Sequence, residues 1–556
     1  MASPPDPKMP FTLPMMQELF TNHELLAREA SRARPDPAAS AVRSVGILGG
    51  GTAGWFTALA LRAQLPWLDV TVIETPHIPI IGVGEASVPS LVSFLHRYLN
   101  LDIVELTREV APTWKQGIRF EWGLPGDYVF QAPFDWEVNG IGMLGSMAET
   151  GNVSAFTLQS ILMSKDLSPV LRSGGKLLSY LPLLSFAYHL DNARLVAYLT
   201  RTAVARGVRH LDRKIVSAPI DPASAPGEPR IQHLVTEDGA ELTFDLYVDC
   251  SGFRSFLLGQ TLGQPFHSFA SSLYTDSALT FNAPHGGKIK PYTTARTMEN
   301  GWCWNIPMVD DDHQGYVFSS AYCTEDEALA EARRAFPELV NPRMVHFRSG
   351  RHDRMWVGNV FAIGNAYAFV EPLESTGLLM ITRAITSLVR AFPIGPDPAV
   401  MKRFVNTTAG RDWDRLRWFL AAHYKFNRRL DTRFWSEVRA QADVSGIQEA
   451  LDIFQAMGPL SLLPRAVRTS LNDVSQVFFY GLAGLDCILL GQKVPHPRLD
   501  REPPATWRAR RQLALEFARR ALPHGEALRA TWEREEWLKN LVDSPSSWVR
   551  TLEPYL

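Results

Sequence analysis

The stretch that most constrains this chain is Val45–Trp55, reading Val-Gly-Ile-Leu-Gly-Gly-Gly-Thr-Ala-Gly-Trp, in which an aliphatic run breaks into glycines before a helical pattern resumes. It predicts a strand, a tight turn and a helix. Gly49, Gly51 and Gly54 stand in G-x-G-x-x-G register, where missing side chains let backbone N–H groups, including those of Thr52 and Ala53, approach a pyrophosphate at a helix start. A second strand, Asp69–Glu74, ends in an acid about twenty residues after Gly54, the place from which a carboxylate reaches a ribose hydroxyl. Together they predict an α/β, Rossmann-like domain that binds a dinucleotide. A purely structural glycine turn is the competing reading.

At 556 residues, with 46% hydrophobic and 21% charged residues, the chain can bury a large core. Its net charge of −2 and interspersed bases leave no electrostatic footprint for nucleic acid or an anionic membrane, and the arginine-rich segment 508–520 reads as a solvated helix face. Cys250, Cys303, Cys323 and Cys487 lie far apart, and no H-E-x-x-H cluster occurs, so neither disulfides nor a metal site are expected. With no apolar signal core and no bilayer-length apolar segment, a cytoplasmic protein is the default expectation.

Residues 1–43, rich in proline and alanine, read as a partly ordered extension. A discontinuous nucleotide domain is expected over 44–395, interrupted by a β-rich lobe at about 260–350, with a mostly helical region over 396–556. Gly82-Val83-Gly84-Glu85 forms a second glycine-spaced turn soon after the acid strand. The alternating segment Trp114–Phe120 places Lys115 in a strand among apolar neighbours. Most such lysines are exposed, but a buried one loses its charge readily and becomes a nucleophile or tunable donor. Trp356–Ala366, ending in Gly364-Asn365-Ala366, predicts a buried strand and a turn. After it comes Glu371-Pro372-Leu373-Glu374-Ser375-Thr376-Gly377, then a helix from Leu378 to Phe392, whose first N–H groups at Thr376 and Gly377 suit an anion or a ring edge.

These segments resemble the FAD-dependent tryptophan halogenases from Val45 to about Trp435. The glycine turns carry part of the likeness. More specific are Gly301-Trp302-Cys303-Trp304-Asn305-Ile306-Pro307, similar to the family's G-W-x-W-x-I-P signature, and Lys115 in W-K-x-G-I-x-F paired with Glu374 in E-P-L-E-S-T-G. The resemblance implies that FADH2, O2 and chloride or bromide yield hypohalous acid, the halide lying at Thr376 and Gly377. It also implies that Gly364, Gly377 and Leu378 border the flavin, and that Trp302, Trp304, Ile306 and Pro307 wall it from the organic substrate. Lys115 would deliver the halogen, Glu374 would orient it or take the ring proton, and Phe134, Ser375, Phe478 and Tyr480 would meet the substrate. With one dinucleotide fingerprint and no NAD(P)H domain, a separate flavin reductase is the expected partner. Unaided by the resemblance, Trp302 and Trp304, two apart on a strand, face one side and could equally fill a core.

The likeness fails in two places. Family members acting on free tryptophan hold its charged backbone with a Tyr-Tyr pair and a glutamate, and Leu471–Gln492 has no such pattern. Their Tyr-His-Pro-Phe is here Phe130-Gln131-Ala132-Pro133-Phe134, without the histidine, although His423-Tyr424-Lys425 does match. Both departures point toward a tryptophan inside a peptide, as in the branch that halogenates lanthipeptides, ahead of free tryptophan or a free indole, pyrrole or phenol. A flavin hydroxylase of aromatics and a non-catalytic carrier of the prenyl-chaperone type are the rival functions; oligomeric state is left open.

Overall fold

The computed structural model describes residues 41–75, 84–134, 157–174, 176–182, 184–392, 399–474, 481–497, 503–544 and 547–550. Gly82, Val83, Phe478 and Tyr480 lie outside them, as do residues 1–40 of the N-terminal extension.

The nucleotide sheet has six strands in the order Arg209–Asp212, Asp69–Glu74, Ser44–Leu48, Leu246–Asp249, Val360–Ala362 and Trp356–Val357. The first five run parallel, with Val45 opposite Val70 on one side and Leu246 on the other. Parallel strands covered on both faces carry continuous apolar runs rather than alternation, and Val70, Val72 and Ile73 are all buried accordingly. The helix Thr52–Gln64 packs on this sheet with an unbroken buried run from Trp55 to Leu61. The single strand expected over Trp356–Ala366 is instead a tight antiparallel hairpin, Val357 opposite Val360. Gly358 turns the chain there at φ +54°, a left-handed conformation that suits a residue without Cβ.

A seven-stranded sheet follows the order Val340–His346, Ser277–Ala283, Asp312–Phe318, Gly301–Pro307, Thr293–Met298, Gly117–Glu121 and Phe130–Pro133. Five of its strands come from the β-rich stretch read from the sequence, but two come from the Lys115 region. The uninterrupted strand expected across Trp114–Phe120 is in fact two. Thr113–Lys115 pairs antiparallel with Ala187–Asp191, Lys115 opposite Ala187, whereas Gly117–Glu121 joins the large sheet with Ile118 opposite Thr293. Gln116 makes the transfer, giving its N–H to Pro291 and its carbonyl to Phe134 N–H. Ala187–Asp191 also pairs with Gly84–Ala86, so one small sheet ties the second glycine turn to the lysine. From Ala399 onward the described elements are mainly helices, led by the 28-residue Ala399–Phe426. No helix among the described residues is long and apolar enough to cross a membrane.

Candidate active site

The three glycines of the first loop do different work. Gly49 has φ +118°, and a Cβ there would stand 2.3 Å from the Cys250 carbonyl oxygen. A Cβ on Gly54 would stand 1.9 Å from the Gly49 carbonyl oxygen, so only glycine lets helix and strand close up. Gly51 has open space where its side chain would be, and as N-cap of Thr52–Gln64 it supplies no side-chain cap, which leaves the helix start open to an anionic ligand. Glu74 lies at the same loop: its carboxylate is 2.8 Å from His210 Nε2, and a Cβ on Gly50 would overlap it.

This loop opens into a cavity of about 440 Å³ lined by Gly49–Ala53 and Glu74 at one end, with Gly364 against Ala53, and by Ser375–Leu378 at the other. Gly84 and Glu85 border it too, and burial pushes the Glu85 carboxyl up to about 7. Trp304 and Ile306 form part of its wall; Trp302 and Pro307 are buried outside the lining. The Trp304 indole lies flat over Gly315, its cross-strand partner, where an added Cβ would be 2.0 Å from the ring.

At the far end the chain is tight. Ser375 has φ +57°, an uncommon conformation for a residue with a side chain, and sets Thr376 as N-cap of Gly377–Arg390. Among the described residues that helix start has no side-chain cap, the buried Thr376 Oγ1 has no partner, and nothing fills the space beside Gly377. A glycine cradle at one end, open helix starts at both and an orphaned buried hydroxyl fit an extended dinucleotide with an anion beside it.

Lys115 lies behind this wall. It does not line the cavity; its Nζ donates to Ser375 Oγ at 2.6 Å, and Ser375 does line it. The lysine is fully buried because its strand ends where one sheet hands the chain to another, and its Nζ stands 5.4 Å from the centre of the Phe134 ring. Burial brings its pKa from 10.5 down to about 7, against an upward pull from the Glu374 carboxylate. His189, buried and bonded to Thr113 and Thr293, is kept well below its ordinary range by burial and then by the Lys115 charge. Glu374 is 2.6 Å from His423 Nε2. Burial, then the Glu374 charge, pushes the Cys487 thiol upward, which places the helix Gly481–Gly491 close to Glu374.

So the structure brings Lys115, Glu374 and Phe134 together beside the dinucleotide cavity, joined to its lining through Ser375. The direct contact of His423 with Glu374 could not be read from the sequence, where His423 stood 49 residues away as part of a matching segment. Glu371, fully buried with its carboxyl raised by burial and accepting from Thr275, is a second carboxylate that the sequence did not single out.

Comparison with known proteins places this arrangement among the flavin-dependent halogenases. The family model for tryptophan halogenase matches residues 44–502, and the chain belongs to that family. Tryptophan 7-halogenase RebH of Lentzea aerocolonigenes is 31% identical over 507 residues, covering 83% of this chain and 92% of that protein. The crystal structure of MibH, a lanthipeptide tryptophan 5-halogenase, matches with TM-score 0.87 and 50% identity over 92% of this chain and 98% of that one. The tryptophan 6-halogenase SttH from Streptomyces toxytricini matches with TM-score 0.77 and 28% identity over 88% of this chain and 99% of that one. Membership makes the chain a flavin-dependent enzyme and implies FAD as its cofactor.

Proposed function

We propose that this enzyme halogenates a tryptophan side chain held within a peptide, with Lys115 passing the halogen from the flavin cavity to the ring. The observation that carries the delivery step is the buried Lys115 amine, 2.6 Å from a serine that borders the cavity and within the electrostatic reach of Glu374. Bound FAD, kept reduced by a separate flavin reductase, would supply the chemistry that turns chloride or bromide and O2 into hypohalous acid. Gly49, Gly51, Thr52, Ala53 and Gly54 would hold the pyrophosphate and Glu74 the ribose, while Glu85, Gly364, Gly377 and Leu378 border the rest. The N–H groups of Thr376 and Gly377 would hold the halide.

Trp304 and Ile306 keep the aromatic substrate out of the cavity, so oxygen is not transferred to it directly. With a pKa of about 7, a substantial share of Lys115 is neutral amine at neutral pH. The amine takes the halogen from hypohalous acid, forming an N–X bond and releasing water; it then gives X⁺ to the ring carbon as its nitrogen takes up a proton and returns to the amine, a proton that the loss of H⁺ from the ring carbon replaces. Glu374 accepts the proton that leaves that carbon.

Two things favour a peptide. Leu471–Gln492 lacks the clamp that a free amino acid's charges require, and Cys487 puts part of that segment beside Glu374. Identity is 50% to the lanthipeptide halogenase but 31% and 28% to the halogenases RebH and SttH. The test offers free tryptophan and tryptophan-containing peptides together to the enzyme with FAD, a reductase, NADH and chloride, with products read by mass spectrometry. A halogen on peptide tryptophan is expected; preference for the free amino acid overturns the substrate assignment.

A further inference from the structure

His423 is clamped between two oxygens. Its Nδ1 is 3.0 Å from the carbonyl of Phe419, one turn back on the same helix, and its Nε2 is 2.6 Å from Glu374 Oε1. A carbonyl can only accept, so Nδ1 carries a hydrogen. Neutral imidazole has no second one, and a bare Nε2 facing a carboxylate at this distance would set lone pair against lone pair. The short contact therefore needs a second hydrogen on its axis. The Glu374–His423 pair holds one proton more than a carboxylate beside a neutral ring, and together the two groups carry no net charge.

The surroundings keep that proton in place. The ring is fully buried, with Phe120 and Phe419 at 5.5 and 5.1 Å between centroids, and the His423 carbonyl accepts from Trp122 Nε1 at 2.9 Å. A ring flip would forfeit both hydrogen bonds. In so buried a place a charge-assisted bond is strong.

We propose that His423 is the positioning residue that fixes the Glu374 carboxylate and holds a proton against it, so that Glu374 can receive the proton released as the ring is halogenated. The inference rests on the delivery reading above. In that step the C–H bond at the halogenated carbon breaks, its electron pair restores the aromatic ring, and the proton passes to the Glu374 carboxylate. The imidazolium opposite remains as it was, and the pair gives up the extra proton as product leaves.

The test compares wild type, His423→Gln and His423→Phe with FAD, a reductase, halide, O2 and a tryptophan peptide deuterated on its indole ring. Glutamine can still donate to Glu374 but cannot carry the charge; phenylalanine fills the space without donating. In both variants kcat is expected to fall about tenfold to a hundredfold with KM little changed. More hypohalous acid should be trapped per product formed, and a ring-deuterium isotope effect should appear that wild type lacks, because proton removal has become slow. If the phenylalanine protein does not fold, the glutamine variant alone decides. Wild-type rates in His423→Gln, or a loss with no isotope effect, overturn the role of His423. Persistent halogenation by Lys115→Ala instead overturns the delivery reading itself.

Discussion

Replacing Lys115 by methionine should stabilise the folded chain at mildly acidic pH. The lysine is fully buried, and burial lowers its pKa from 10.5 to about 7 even though Glu374 pulls the other way. With the folded pKa depressed, the folded state binds fewer protons than the unfolded state between pH 7 and 10.5, so stability rises with pH across that window. Below pH 7 both states carry the ammonium and the whole cost of burying it is present. At 1.36 kcal/mol per pH unit that cost is about 5 kcal/mol as an upper bound, less roughly 1 kcal/mol for the lost hydrogen bond to Ser375. Methionine keeps an unbranched apolar stem and adapts to irregular spaces. Denaturant midpoints taken for both proteins at each pH cancel the titrating groups that do not interact with Lys115. The variant should lead clearly at pH 6, and its advantage should shrink by pH 9 and nearly vanish at 10.5. Equal midpoints at pH 6, or a gap that does not change with pH, would refute the claim that this site confines a buried ammonium.

Three more perturbations probe the rest of the site. Gly54→Ala puts a methyl group 1.9 Å from the Gly49 carbonyl oxygen, so FAD affinity measured by flavin fluorescence should fall at least tenfold and thermal stability should drop. Gly315→Ala forces the Trp304 indole off its seat; flavin reoxidation should continue while its coupling to halogenated product falls severalfold, read as product per NADH consumed. Glu74→Ala removes the acid at the first loop and should weaken FAD binding by about 1–3 kcal/mol without altering the halogenation position, a shift measurable by titration.

The parallel sheet was legible because its signals are local. Continuous apolar strands, three glycines at fixed spacing and an acid at a strand end can all be read within about 30 residues of chain, even though Gly49 also packs against Cys250. The Lys115 segment reads as one strand because alternation cannot show that Gln116 hands the chain from one sheet to another; only its partners Pro291 and Phe134 show it. For the same reason Lys115 could not be told from an exposed lysine by its neighbours alone, since its burial depends on Ala187, Ser375 and Phe134 arriving from elsewhere. Trp302 and Trp304 share a face as their spacing required, yet only Trp304 reaches the cavity, a difference set by the bare surface of Gly315 beneath its ring. The Glu374–His423 contact joins residues 49 apart and left no periodic trace.

The most direct test of the central claim compares wild type with Lys115→Ala, each supplied with FAD, a reductase, NADH, chloride and a tryptophan peptide, measuring both trapped hypochlorous acid and chlorinated peptide by mass spectrometry. Lys115→Ala is expected to go on releasing hypochlorous acid while chlorinated peptide falls to background. Chlorination of the peptide by Lys115→Ala at the wild-type rate would contradict the assignment of halogen delivery to this lysine.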